Sequence, residues 1–172
     1  MDDGLSALRS VAHPVRLRIL SMLTAQAMSA AEVARELDLT HANASYHLRV
    51  LHDAGELQVE SEEKIRGGTA KRYRYVVGPA VARSPGAWTA EDELAWQVAT
   101  HTEIVRRIGH GAHGPGNSSD IETWVTPETW RAAIDQVAAA MTMLHEAAQP
   151  PRTEGTIHVS ASAQAFVIGD PA

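Results

Sequence analysis

The sequence contains no cysteine in 172 residues. Disulfide staples, thiolate metal sites and thiol redox switches are therefore excluded for this stretch of chain. Long apolar runs are also missing. Nothing approaches the roughly 18 to 20 consecutive apolar residues of a membrane helix. The opening Met1-Asp2-Asp3-Gly4 is acidic and lacks the basic and apolar regions of a secretory signal. A cytoplasmic chain without membrane contact is the expectation. Aromatics are scarce at 5%, and the four tryptophans, Trp88, Trp96, Trp124 and Trp130, all follow residue 87. With 44% apolar and 21% charged residues, the composition is that of a globular chain rather than a disordered one.

A global excess of positive charge is lacking too, since the formal net charge is −6. The distribution matters more than the sum. Residues 1–76 carry ten basic and ten acidic side chains, whereas residues 77–172 carry five and eleven. The acid excess therefore lies wholly in the second half. Residues 64–76 hold Lys64, Arg66, Lys71, Arg72 and Arg74 without an acid. A local basic strip of this kind outweighs net charge where phosphate contact is concerned.

Hydrophobic spacing predicts helices near 4–12 and 14–25, separated at His13-Pro14, with Pro14 suited to a first helical turn. Ser29-Ala30-Ala31-Glu32 is a capping box, in which hydroxyl and carboxylate each satisfy an exposed backbone N–H. A short helix to Leu37 follows. Thr40 caps the next helix, about 41–54, whose apolar stripe is Ala44, Leu48 and Leu51 and which Gly55 ends. Leu57 with Val59, and Tyr73 to Val76, alternate as two strands around a polar loop containing Gly67-Gly68. Residues 79–87 read as a linker. A helix at about 89–108 carries Leu94, Val98, Val105 and Ile108. A glycine-rich loop at 109–119 precedes a short strand at 121–125. Thr126-Pro127-Glu128 opens a helix to about Ala147, and 156–168 reads as extended. No internal repeat is visible.

A short capped helix, a tight turn and a second helix with a polar outer face make the helix-turn-helix pattern, in which the second helix lies in the DNA major groove. With Ala44, Leu48 and Leu51 inward, His41, Ala42, Ser45, Tyr46 and Arg49 face outward or sideways, and none is acidic. A generic solvated face mixes Glu with Lys. The strands that follow form a wing whose Lys64, Arg66, Lys71 and Arg72 suit phosphates or an adjacent minor groove. The candidate DNA-binding residues are therefore Thr40, His41, Asn43, Ser45, Tyr46, Arg49, Lys64, Arg66, Lys71 and Arg72. Arg49 leads them, because a guanidinium bonds a guanine edge or a phosphate with two prongs.

At this point a resemblance becomes specific. Ala12-His13-Pro14-Val15-Arg16-Leu17-Arg18-Ile19-Leu20 resembles the second-helix opening of ArsR-family regulators. Leu39 to Leu51, through Ala54-Gly55, resembles that family's recognition helix, and the wing ends in Tyr73-Arg74-Tyr75. The match spans about residues 5–77. It implies a homodimer on a palindromic operator, usually repression, and release tuned by a ligand. The metal-sensing members use thiolates that this chain lacks. Their second metal site, on the dimerising helix, has only His101 and Glu103 as counterparts here. Residues 109–172 lie beyond the minimal family fold and resemble the extension of some actinobacterial-type members.

Other constellations have plain readings beside the sharp ones. Gly109 to Gly114 fits G-x-G-x-x-G, but a helix precedes it, so a loop is the better reading than a nucleotide site. His101, His110 and His113, near Asp120, suit Zn²⁺ or Ni²⁺ by ligand type, yet two of them lie in a glycine-rich loop without evident support. Trp96, Trp124, Trp130 and Met141 could line an apolar effector pocket, against ordinary core packing for each. His13, His47 and His52 read as structural histidines. No catalytic triad or paired carboxylate emerges.

The fold expected is mainly α with β (α+β): a winged helix-turn-helix over 1–78, a linker at 79–87, and a C-terminal dimerisation and effector-sensing region at 88–172. That region holds a dimerising helix and a small strand–helix–strand module. The function expected is a non-enzymatic, DNA-binding transcriptional regulator, used as a homodimer, without a cofactor and tuned by a non-metal effector. The alternatives are a histidine-based metal sensor and a winged helix serving protein contacts.

Overall fold

The structure, a computed structural model, describes residues 11–65, 68–75, 89–111 and 114–169. Five helices and three strands follow in order: α1 (Pro14–Leu23), β1 (Met28–Ser29), α2 (Ala30–Leu37), α3 (His41–Asp53), β2 (Leu57–Ile65), β3 (Gly68–Tyr75), α4 (Ala90–Gly109) and α5 (Pro127–Glu146). The expected helix at 4–12, the linker at 79–87, Arg66, Trp88 and His113 lie largely or wholly outside the described residues.

Local chemistry sets the helix ends. Pro14 opens α1, and the His13 ring caps it by accepting the Val15 N–H at Nδ1 (3.2 Å). The capping box at α2 is complete: the Ser29 N–H donates to Glu32 Oε2 at 2.7 Å, and the Glu32 N–H returns to the Ser29 hydroxyl at 3.4 Å. Asp38, left-handed at φ 53°, ends α2, and only Asp38, Leu39 and Thr40 separate it from α3. Thr40 Oγ1 then accepts the Asn43 N–H at 3.2 Å. At the far end of α3, Gly55 takes φ 80°. The Glu56 N–H bonds the Leu51 carbonyl and the Gly55 N–H bonds that of His52, both at 2.9 Å. This Schellman closure reverses the chain and delivers Leu57 to the core at the start of β2.

The core is aliphatic. Ile19, Leu20 and Leu23 of α1 meet Val33, Ala34 and Leu37 of α2 and Ala44, Leu48 and Leu51 of α3, closed by Val11, Met28 and Leu57. These are the positions that repeat at three and four residues, which is why three short helices share one interior. Tyr73, Tyr75 and Trp96 cover its margin.

The sheet runs β1-β3-β2, antiparallel throughout. The two-residue β1, which sequence spacing did not anticipate, pairs Met28 with Tyr73 and Ser29 with Arg72. The β2–β3 hairpin is longer than the alternation suggested, pairing Leu57 with Tyr75 out to Ile65 with Gly68. A register shift between Val59 and Ser61 places Glu60 in a bulge.

α4 packs along α1, and its Trp96 reaches the core. Residues 90–109 thus pack against the N-terminal helices. After α4 the character changes, because no described residue from 114 to 169 is buried. The expected strand–helix–strand module is corrected here. The helix forms, but residues 121–125 and 156–168 pair with no strand among the described residues. Alternation can predict an extended chain, but a strand needs a neighbour for its backbone groups. Residues 156–168 do touch the body, where Arg107 donates to the Ser160 hydroxyl at 3.3 Å and to that of Ser21 at 3.4 Å.

Candidate nucleic-acid interface

α3 divides into two faces. Ala44, His47, Leu48 and Leu51 are buried. His41, Ala42, Asn43, Tyr46 and Arg49 are exposed, with Ser45 half-buried between the two sets. Every polar residue proposed on this face from the sequence therefore has some access to solvent. Tyr46, 55% exposed, stands out from the surface with its ring edge against His47, centroids 5.4 Å apart. Arg49 has no hydrogen bond or ion pair among the described residues, so its guanidinium is available to a partner. Thr40 is engaged as the cap of α3, so its hydroxyl is already used in shaping the helix end.

Beneath this face lies a small titratable group. The His13 and His47 rings meet at 5.0 Å between centroids, tilted by 43°, with Arg16 and Tyr46 close by. Burial, then the neighbouring positive charges, hold both histidines below their ordinary pKa of 6.5. His47 Nδ1 is buried without a hydrogen-bond partner. The pair joins the cap of α1 to the middle of the reading helix. Treating these histidines as separate structural residues missed that junction. Their separation of 34 positions leaves no local signal.

The wing is less basic than its sequence strip implies. Glu62 faces Lys71 across the hairpin at 3.6 Å, and bulged Glu60 reaches Arg74 at 3.7 Å. Both pairs are exposed and contribute about 0–1 kcal/mol, so a phosphate could displace either acid. Lys64 is exposed and unpaired among the described residues. Arg72 requires a correction. It is not a free wing cation: Nη1 lies 2.9 Å from Glu32 Oε2 and 3.1 Å from Oε1, and Nη2 donates to the Ala27 carbonyl at 2.8 Å. The guanidinium ties β3 to the start of α2. Burial alone would raise the Glu32 pKa, but the Ser29 and Arg72 hydrogen bonds outweigh it and hold the carboxyl below its ordinary value.

The candidate effector and metal residues lie apart. Trp96 covers the core, whereas Trp124 is 91% exposed. Trp130 and Met141 share one stripe of α5, about 16 Å apart at the helical rise. His101 projects from the exposed face of α4, and His110 ends the helix. Glu103 is buried and clasped by Arg106, whose Nη2 lies 2.9 Å from Oε2, so it is not open to a metal. No group of three or more potential ligands forms among the described residues.

Three short helices, a three-residue turn between α2 and α3, and a β2–β3 hairpin beside them define a winged helix-turn-helix. Comparison with known families agrees on the reading element: residues 11–55 match the family model of a helix-turn-helix domain. That domain points to a DNA-binding regulator. No curated protein matches the chain. Among the described residues, no helix is long and apolar enough to cross a membrane.

Proposed function

We propose that this chain is a cytoplasmic transcriptional regulator of the ArsR kind, a repressor that binds a palindromic operator as a homodimer. The observation that carries the DNA reading is the outer face of α3 from His41 to Arg49: five exposed side chains, none of them acidic, with the acid Asp53 only at the helix end, and a free guanidinium at Arg49. α3 enters the major groove, with His41, Asn43, Ser45, Tyr46 and Arg49 toward base edges and phosphates. Lys64 and Lys71 on the wing hold the flanking backbone. The reading includes no catalytic step.

The dimer reading rests on α4, whose amphipathicity is inverted. The face toward α1 carries Asp92, Trp96, Ala99, Thr100 and Glu103, while Leu94, Val98, Val105 and Ile108 are each 59–65% exposed. Among the described residues, a shallow trough at Gln97, Val98, His101, Thr102 and Val105 is lined by α4 alone. An apolar stripe turned to solvent, over a polar face turned inward, is the pattern of a helix awaiting a partner. Two copies joined there would present two α3 helices to half-sites about 34 Å apart. An effector that changes the angle between copies would spoil that spacing and release the operator.

Fluorescence anisotropy on DNA from upstream of the chain's own gene, against scrambled DNA over a salt series, tests the reading. Sequence-preferring binding is expected, with log affinity falling by about 0.9 per neutralised phosphate against log salt. No binding to either DNA at low salt would overturn it.

A further inference from the structure

Lysine is rare in this chain. Its two copies, Lys64 and Lys71, both lie on the β2–β3 hairpin. The strand register puts them on one face. Cross-strand partners share a face, and successive residues alternate between faces. Lys71 therefore lies on the side of Thr69, Tyr73 and Tyr75, and Lys64, opposite Thr69, joins it from β2. Tyr73 on that side meets the His52 ring of α3 edge-on, centroids 5.7 Å apart. The lysine face is thus the one that continues outward from the reading helix.

One acid interrupts that face. Glu62 stands opposite Lys71 and two residues before Lys64, so it falls between the two lysines. Its carboxylate lies 3.6 Å from Lys71 Nζ. The bulge at Glu60 places it there. Under strict alternation from Val59, which is opposite Tyr73, Ser61 and Glu63 would share the lysine face and Glu62 would lie on the other. The extra residue shifts the register by one and brings Glu62 to Lys71. Glu63 then falls on the opposite face, across from Ala70, with no ion pair among the described residues.

This placement bears on how the wing meets DNA. Binding to a duplex of unmatched sequence is almost wholly electrostatic, driven by the counter-ions that neutralised phosphates release. A lysine already paired with a carboxylate brings little net charge to that exchange. An exposed pair holds its partner by a factor of up to about five. One phosphate contact gains about 3- to 4-fold when salt falls fourfold. The pair is therefore strong enough to decide the contact on loosely held DNA. It is weak enough to yield where α3, seated on base edges, holds the wing against the backbone.

We propose that Glu62 is a specificity-determining residue, an internal counter-ion that keeps Lys71 off DNA of unmatched sequence and releases it to phosphate only where α3 is docked. This rests on the DNA-binding reading above and adds a residue that the reading does not use.

Fluorescence anisotropy of the full chain on a scrambled duplex, at about 50 and about 200 mM salt, tests it. Glu62→Gln should bind that duplex more tightly than the unaltered chain. Lowering the salt should tighten its binding by about 3- to 4-fold more. Glu63→Gln makes the same change of charge one residue away, on the opposite face, and should behave as the unaltered chain does. In a Lys71→Ala background, Glu62→Gln should add nothing. On DNA from upstream of the chain's own gene the salt slope should keep its original value, because Lys71 is already on phosphate there, so the preference for that fragment falls. A scrambled-duplex affinity that Glu62→Gln leaves unchanged overturns the proposal and leaves the DNA reading standing. Equal gains from Glu62→Gln and Glu63→Gln, or a gain that survives Lys71→Ala, also overturn it, because the acid would then act through net charge alone. An unaltered chain that binds neither duplex at low salt overturns both.

Discussion

Replacing Arg72 separates a structural cation from a DNA-binding one. Its side chain is 29% exposed and that of Glu32 32%, so the pair is only partly screened by water. A hydrogen bond to a charged group contributes roughly 1.5–3 kcal/mol, and partial exposure reduces this toward about 1–1.5. Arg72→Ala also leaves the Ala27 carbonyl without its 2.8 Å donor, adding about 0.5–1 kcal/mol. The expected loss is therefore about 2 kcal/mol, or a fall in melting temperature of roughly 8–16 °C for a domain of this size. Glu32→Ala should cost at least as much, because it removes the capping box together with the ion pair. The double variant should show about 1 kcal/mol of coupling. Arg72→Lys should recover little, since an ammonium cannot span carboxylate and carbonyl as the planar fork does. Urea unfolding followed by circular dichroism measures these values, and anisotropy under folding conditions measures DNA affinity. An Arg72→Ala protein as stable as the parent but deficient in DNA binding would refute the argument and return Arg72 to the wing's phosphate contacts.

Arg49→Ala should behave in the opposite way, with stability within about 0.5 kcal/mol of the parent and operator affinity reduced by about 1–3 kcal/mol in the anisotropy assay. Lys64→Ala should weaken binding to all sequences alike and lower the salt slope by about 0.9. The His13–His47 pair gives a pH dependence with a defined sign. Both pKa values lie below 6.5 in the fold, so the unfolded chain binds protons first. The stability from this pair is fully present above about pH 6.5 and is lost as pH falls through the folded values. Urea midpoints between pH 7.5 and 5.5 should show this, and His47→Leu should flatten it. The Glu32 carboxyl acts in a lower window, its contribution being complete above pH 4.5 and lost below that as it protonates. Leu48→Ala, at a position with no exposed surface, should cost about 2–5 kcal/mol in the same unfolding assay.

Local structure and the chemistry of one helix face were legible in the residues themselves. Pro14, the Ser29–Glu32 box, Thr40, Gly55 and Thr126-Pro127 act within a few residues of themselves. Their helix boundaries could be read because capping satisfies backbone groups at fixed short offsets. The outer face of α3 followed from the same 3.6-residue period, with Ala44, Leu48 and Leu51 fixing which side was inward. Tertiary structure decided what depended on distant partners. Arg72 was a wing cation by composition and became a tie because Glu32 and Ala27 lie 40 and 45 positions away. β1 is two residues long and exists only through its pairing with β3. Residues 121–125 and 156–168 have the alternation of strands but no ladder, since an extended chain becomes a strand only where a neighbour accepts its hydrogen bonds. The apolar residues of α4 were visible as a stripe, but the period of a helix cannot say which way it is turned. Packing against α1 directed Asp92, Thr100 and Glu103 inward and left Leu94, Val98, Val105 and Ile108 facing water.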